Sequence, residues 1–196
     1  HYVGNVMIDT LVRQLPKARA AAQGDELVPA DGRVGLVTLH RPSNVDDPVR
    51  LRAVMGVLEN IAGRLPLVFP AHPRTVGRLA DAGIAAPGPG VRLVEPLPYL
   101  RTLGLQSRAI VVIADSGGMQ EETSFLGVPC LTLRPSTERP VTTTLGTNTL
   151  VSGEPSALAG HVDRILAGEA RHASEIPGWD GRAAERIVRV LAEAWG

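Results

Sequence analysis

A single cysteine, Cys130, stands in 196 residues. No internal disulfide can form, and the chain fits a reducing compartment, with the cytoplasm as its expected location. Cys130 falls in an apolar run that reads as a buried strand, which favours an inert packing thiol over a nucleophile. No apolar run approaches the roughly 18 residues that would signal a membrane span, and no secretory leader pattern opens the sequence. A membrane is therefore not an expected partner. Net charge is lacking too: 20 Lys and Arg balance 20 Asp and Glu, which leaves no bulk electrostatic case for nucleic acid. The five histidines are scattered, and one cysteine offers no zinc spacing, so no metal site is expected. Neither G-x-G-x-x-G nor G-x-x-x-x-G-K followed by Ser or Thr occurs. A dinucleotide fingerprint and a P-loop are both unsignalled, and no cofactor is implied.

What is present is alternation. The length admits one large domain with ample core. Residues 3–22 carry Val3, Met7, Leu11 and Leu15 at helical spacing, with Pro16 marking a break or kink. The chain opens on a histidine and enters this pattern almost at once, as a piece of a longer protein would. Residues 23–32 read as a loop. Strands are predicted over 33–39, 67–71, 91–94, 109–114, 129–133 and 147–151. Helices are predicted over 49–61, 76–82, 98–106, 119–126, 155–166 and 182–195. Asp47 is a plausible cap ahead of Pro48, and Pro73 suits a helix start. Residues 40–48 read as a polar turn and 84–90 as a Pro/Gly loop. The last helix is expected to turn Ile187, Val190, Leu191 and Ala194 inward. Strands alternating with helices across short loops argue for an α/β domain with a parallel sheet.

Residues 109–140 organise the rest. A β-branched apolar run over 109–114 is followed by Asp115-Ser116-Gly117-Gly118, then by a helix that Gly127 ends. Free N–H groups at a helix start, the helix dipole and glycine's open backbone suit a phosphate. An ordinary tight turn would also use these glycines for geometry alone. Parallel sheets bind ligands beyond the carboxyl ends of their strands. His40, His72, Asp115-Ser116 and the 134–139 cluster each follow a predicted strand directly, so they should gather on one edge of the sheet.

The individual residues carry different weights. Ser116, Gly117 and Gly118 are read as the phosphate cradle. Glu121 and Glu122 suit the helix dipole; one of them can instead accept from sugar hydroxyls, since adjacent helical residues point about 100° apart. His40 with Arg41 offers positive charge and a proton near neutral pH. His72 with Arg74 has the same placement on a longer loop. Arg139 and Glu138 pair as a surface bridge in the plainer reading; in the other, they face the Gly-rich turn.

Several blocks together resemble the non-hydrolysing UDP-N-acetylglucosamine 2-epimerases. They are VGNVMIDTL at 3–11, TLHRPSNVDDP at 38–48, HPRT at 72–75, EPLPYL at 95–100, DSGGMQEE at 115–122, LGVPCLTLR at 126–134, TERP at 137–140 and GTN at 146–148. Some members read HRRE where this chain has His40-Arg41-Pro42-Ser43, a variation that keeps His40 and Arg41. The resemblance implies a Rossmann-like parallel sheet with helices on both faces, the C-terminal half of a GT-B two-domain enzyme. Residues 1–25 would be an interdomain helix and 26–196 a UDP-binding domain. The N-terminal half, which carries acidic residues for moving the proton at sugar C2, is not among these residues, so the chain alone is expected to be inactive. The resemblance further implies a polysaccharide-biosynthesis isomerase that interconverts UDP-GlcNAc and UDP-ManNAc by eliminating and re-adding UDP. In that scheme Ser116, Gly117 and Gly118 contact the diphosphate, and Glu122 takes the ribose hydroxyls. His40 is the catalytic acid or electrostatic group, with Arg41 beside it. Arg139 lies on the phosphate side, His72 at a regulatory UDP-GlcNAc site, and the full-length protein is a homodimer. The rival expectations are a GT-B glycosyltransferase's donor half, a hydrolysing 2-epimerase, and a nucleotide-sugar binding module without chemistry.

Overall fold

The structure, a computed structural model, describes residues 1–84 and 87–195; part of the loop expected over 84–90 lies outside the described residues. Six short strands form one parallel sheet: β1 (Gly35–Thr38), β2 (Leu67–Pro70), β3 (Val91–Val94), β4 (Val111–Ala114), β5 (Cys130–Thr132) and β6 (Asn148–Leu150). Their order is β3-β2-β1-β4-β5-β6, which is the doubly wound arrangement. All six predicted strands are present; β3 has its predicted span and the other five are trimmed.

Alternation of side chains along each strand fills two cores. Val37, Phe69, Ile113 and Leu131 face helices α3 (Pro48–Ala62), α4 (Pro73–Asp81) and α8 (Ala157–Leu166). Leu36, Val68, Val112 and Cys130 face the other side, with Leu105 of α5 (Tyr99–Gln106) and Met119 of α6 (Gly117–Leu126). Both faces are thus covered, as near-continuous apolar strands require. Burial pushes the Cys130 thiol up to about 11, in keeping with an inert role. The cap at Asp47 is as expected: its carboxylate accepts from Val49 N–H at 2.9 Å. Gly127 closes α6 at φ +72°, a left-handed position that suits glycine. Among the described residues no helix is long and apolar enough to cross a membrane.

Helix α1 (Val6–Ala21) lies outside α5, where Leu11 and Ala18 pack on Leu103. It runs unbroken through Pro16. Proline removes one hydrogen bond there, but buried Leu11 and Ala18 flank it and hold both sides on the same support. The 40–48 turn contains a short helix, α2 (Pro42–Val45), and a further one, α7 (Pro140–Thr144), follows β5. Both begin on a proline, whose fixed φ suits a first helical position.

The terminal helix α9 (Ala183–Trp195) corrects one expectation. Only Ala183 is buried; Leu191 is 41% exposed, Ala194 is also exposed, and Ile187 and Val190 are half-buried. The Asp9 carboxylate accepts from the Ala183 and Ala184 N–H groups at 2.9 and 2.7 Å, so only the start of α9 is pinned. Periodicity reports an apolar stripe, not what the stripe meets.

Candidate functional site

The strand order reverses between β1 and β4, and their carboxyl ends open a crevice there. Thr38 pairs with Ala114 in the register of these two strands. The residues that follow each strand therefore emerge side by side. On one side are His40 and Arg41, and on the other are Asp115 and Ser116.

Asp115 is fully buried. Its carboxylate accepts from the backbone N–H of His40 at 3.1 Å and of Arg41 at 2.9 Å. It also accepts from the Asn44 amide at 3.1 Å, and that amide donates in turn to the Leu133 carbonyl at 3.0 Å. Arg41 Nε returns a bond to the Asp115 carbonyl at 2.8 Å. The ends of β1, β4 and β5 are thereby tied at one point. The His40 side chain remains half exposed, with Nδ1 3.2 Å from Asp115 Oδ1.

Ser116 is the residue before α6, with extended backbone, and its side chain makes no capping hydrogen bond among the described residues. The N–H groups of its first turn have no intrahelical acceptors, and Gly117 and Gly118 keep the backbone accessible. A Cβ at Gly118 would lie 3.2 Å from the Met7 methyl, and one at Gly117 would lie 3.4 Å from Glu138 Oε1. Glu138 pairs with Arg134 Nη2 at 2.7 Å and with Arg41 Nη2 at 3.3 Å. The Arg134 guanidinium above all holds its carboxyl down at about 2.

The adjacent glutamates separate as helix geometry demands. Glu122 is buried and accepts from the Tyr99 hydroxyl at 3.0 Å. Desolvation raises its pKa above the usual carboxylate range, and burial with the Glu122 charge raises the Tyr99 phenol. Glu121 accepts from Asn5 Nδ2 at 2.9 Å and pairs with Arg139 Nε at 2.9 Å. The expected bridge between the Arg139 and Glu138 side chains is not formed. Each has a better-placed partner, and Arg139 Nη1 reaches only the Glu138 carbonyl at 3.3 Å.

His40 and His72 line one mainly apolar cavity of about 320 Å³, together with Leu97, Thr102 and Met119. His72 precedes α4, and its Nδ1 accepts from Arg74 N–H at 3.1 Å, which leaves the proton on Nε2 in the neutral ring. The edge therefore brings together His40, Arg41, His72, Ser116, Gly117 and Gly118. Glu122 lies buried behind Tyr99, and Arg139 lies against Glu121.

Four contributors escaped the sequence reading of roles. Asp115 was visible as the residue directly after a strand, but not as the anchor of a turn 75 residues away. Arg134 was visible only as one of a cluster. Asn44 and Tyr99 lie in blocks that carry the family resemblance, but nothing in the sequence assigned either a role, because their contacts arise from tertiary placement.

Residues 1–192 match the family model described as UDP-N-acetylglucosamine 2-epimerase. A UDP-N-acetylglucosamine 2-epimerase of Methanococcus maripaludis is 33% identical over 97% of this chain and 54% of its own length. A UDP-2,3-diacetamido-2,3-dideoxy-D-glucuronate 2-epimerase of Pseudomonas aeruginosa is 35% identical over 97% of this chain and 52% of its own. The crystal structure of the Methanocaldococcus jannaschii UDP-GlcNAc 2-epimerase in complex with UDP-GlcNAc and UDP superposes with a TM-score of 0.82. It is 33% identical, over 98% of this chain and 54% of that one. The Rossmann-like sheet with helices on both faces is thus that of a GT-B half. The chain spans about half the length of the curated relatives it matches. With its family model covering nearly every residue, this chain belongs to the UDP-N-acetylglucosamine 2-epimerase family.

Proposed function

We propose that this chain is the UDP-binding half of a 2-epimerase that interconverts UDP-GlcNAc and UDP-ManNAc. The observation that carries the reading is the meeting of the His40–Arg41 turn with the start of α6 at the strand-order reversal, where the Ser116 side chain leaves the helix N–H groups uncapped. In the proposed reaction the C2 proton is removed and the C1–O bond breaks, its electron pair leaving with UDP. A C1=C2 double bond forms, giving a 2-acetamidoglucal. Re-addition of UDP at C1, with the proton delivered to the other face of C2, completes the epimerisation. Negative charge on the diphosphate grows as the C1–O bond breaks. N–H donors already aimed at it stabilise that charge without reorganisation.

Within that scheme Ser116, Gly117 and Gly118 hold the diphosphate, and Arg41 and Arg139 supply positive charge on its side. Glu122 accepts from the ribose hydroxyls once Tyr99 yields its place. His40 acts as acid or electrostatic group at the phosphate and sugar. The apolar cavity beside His40 suits the flat face of a base. His72 is assigned to a regulatory UDP-GlcNAc site. The residues that move the C2 proton belong to the rest of the protein, which we take to work as a cytoplasmic homodimer in polysaccharide biosynthesis. The Pseudomonas relative's name carries a different sugar on the same nucleotide. A half that holds uridine and diphosphate is compatible with either sugar.

Titration calorimetry of the full-length protein with UDP and with UMP tests the reading. UDP should bind about tenfold more tightly than UMP, the order of one or two charge-assisted hydrogen bonds. Equal affinities would remove the diphosphate from the Ser116–Gly118 turn. Products separate the chemistries: an epimerase needs no acceptor, a glycosyltransferase does, and a hydrolysing enzyme releases free N-acetylmannosamine.

A further inference from the structure

We infer that Arg41 and Arg134 form a two-pronged clamp for the diphosphate and that Glu138 occupies this clamp when the site is empty. The inference rests on the diphosphate reading above and adds to it a binding residue, Arg134, and a displaceable internal anion.

The geometry is that of an anion already in place. The two oxygens of Glu138 are divided between the arginines, Oε2 to Arg134 at 2.7 Å and Oε1 to Arg41 at 3.3 Å. The same Oε1 lies against Gly117, the first residue of α6. A carboxylate with both lone-pair edges engaged by guanidinium groups, at the start of a helix, has the surroundings a phosphate would choose.

The partners are unequally held. The Arg134 side chain is only 12% exposed, whereas Glu138 is 45% exposed. Arg134 Nη1 is buried and makes no hydrogen bond among the described residues. A nearly buried guanidinium with a spare donor and a half-solvated partner is under-satisfied. The Glu138 carboxylate already faces water, so it is readily rehydrated as it leaves. Arg41 is fixed from behind, since its Nε donates to the Asp115 carbonyl. Arg139 is engaged with Glu121. Of the cations at this edge, Arg41 and Arg134 are the two that Glu138 holds beside Gly117.

A diphosphate carries more charge and more acceptor oxygens than a carboxylate. It can meet Arg41, both Nη atoms of Arg134 and the first N–H groups of α6 at once. Glu138 and a diphosphate cannot share this space, because like charges in contact repel strongly in a partly buried site. Binding is thus an exchange of anions, and Glu138 rotates to solvent as the ligand enters.

Glu138→Gln keeps the shape of the side chain and removes its charge. Inorganic pyrophosphate and UDP are titrated by calorimetry into the full-length protein and this variant. Both ligands should bind the variant about tenfold more tightly, and Arg134→Lys in the same background should reverse that gain. Pyrophosphate binding that is unchanged, weakened or absent in Glu138→Gln overturns the inference, and weakening would make Glu138 a positioner of the arginines. UDP that binds no better than pyrophosphate would instead overturn the nucleotide reading, while the pyrophosphate comparison still decides the clamp.

Discussion

The buried carboxylate of Asp115 holds the backbone N–H of His40 at 3.1 Å and lies 3.2 Å from that residue's ring Nδ1. It serves the Arg41 N–H and the Asn44 amide as well. Asp115→Ala would strand three donors, each costing roughly 1–3 kcal/mol when left unpaired. Allowing for relaxation and entering water, we expect a loss of roughly 3–5 kcal/mol in denaturant unfolding. Asp115→Asn keeps one acceptor oxygen and should lose about half of that. A loss below about 1 kcal/mol for Asp115→Ala would mean that the His40 turn is held by something else.

Glu122 should show a conflict between stability and binding. Burial raises its pKa in the folded protein, so the folded state binds the proton more tightly than the unfolded one. The cost of carrying the charge is absent below the unfolded value of about 4.3. It grows as pH rises through the raised folded value and is complete above it. Glu122→Gln removes that cost and can still accept from Tyr99. Its amide can also donate to the neighbouring buried Gln106 side chain, whose Oε1 makes no hydrogen bond among the described residues. We expect the melting temperature to rise by roughly 2–4 °C at pH 7, with the gain fading toward pH 4. On the ribose role proposed for Glu122, UDP affinity should fall about tenfold as the carboxylate loses its charge. A gain over the wild type no larger at pH 7 than at pH 4 would contradict the assignment.

The sheet and the edge that gathers the candidate site were legible in the sequence because both rest on local signals. Apolar β-branched runs such as 109–114 mark buried parallel strands, and polar residues directly after them mark the carboxyl edge. His40, Ser116 and the two glycines were found on those grounds. What escaped depends on distance along the chain. Tyr99 meets Glu122 across 23 residues and Asn5 meets Glu121 across 116, and no periodicity encodes either meeting. The error at α9 has the same origin. Its stripe was read correctly as apolar, but burial depends on a neighbouring surface that a single helix's pattern does not describe.

Gly104 and Gly56 provide opposite outcomes from the same substitution. Both lie in helices, α5 and α3, where alanine is intrinsically favoured by about 1 kcal/mol. At Gly56 a Cβ meets nothing within 4 Å, so Gly56→Ala should stabilise the protein by roughly 0.5–1 kcal/mol. At Gly104 a Cβ would lie 2.5 Å from the Ala18 carbonyl oxygen and 2.8 Å from the Ala22 Cβ. Those atoms are backbone and short side chain, with no flexible end to move aside. The clash outweighs propensity, and Gly104→Ala should cost roughly 1–3 kcal/mol in the same unfolding measurement. The effect should reach the site, because α1 presents Met7 to Gly118, and Asn5 at its start bonds Glu121. Lifting α1 from α5 loosens both contacts, so UDP affinity should drop in Gly104→Ala and stay unchanged in Gly56→Ala. Equal stabilities for the two variants would show that α1 is not seated on α5 as described, and an unchanged affinity in Gly104→Ala would uncouple that seat from the start of α6.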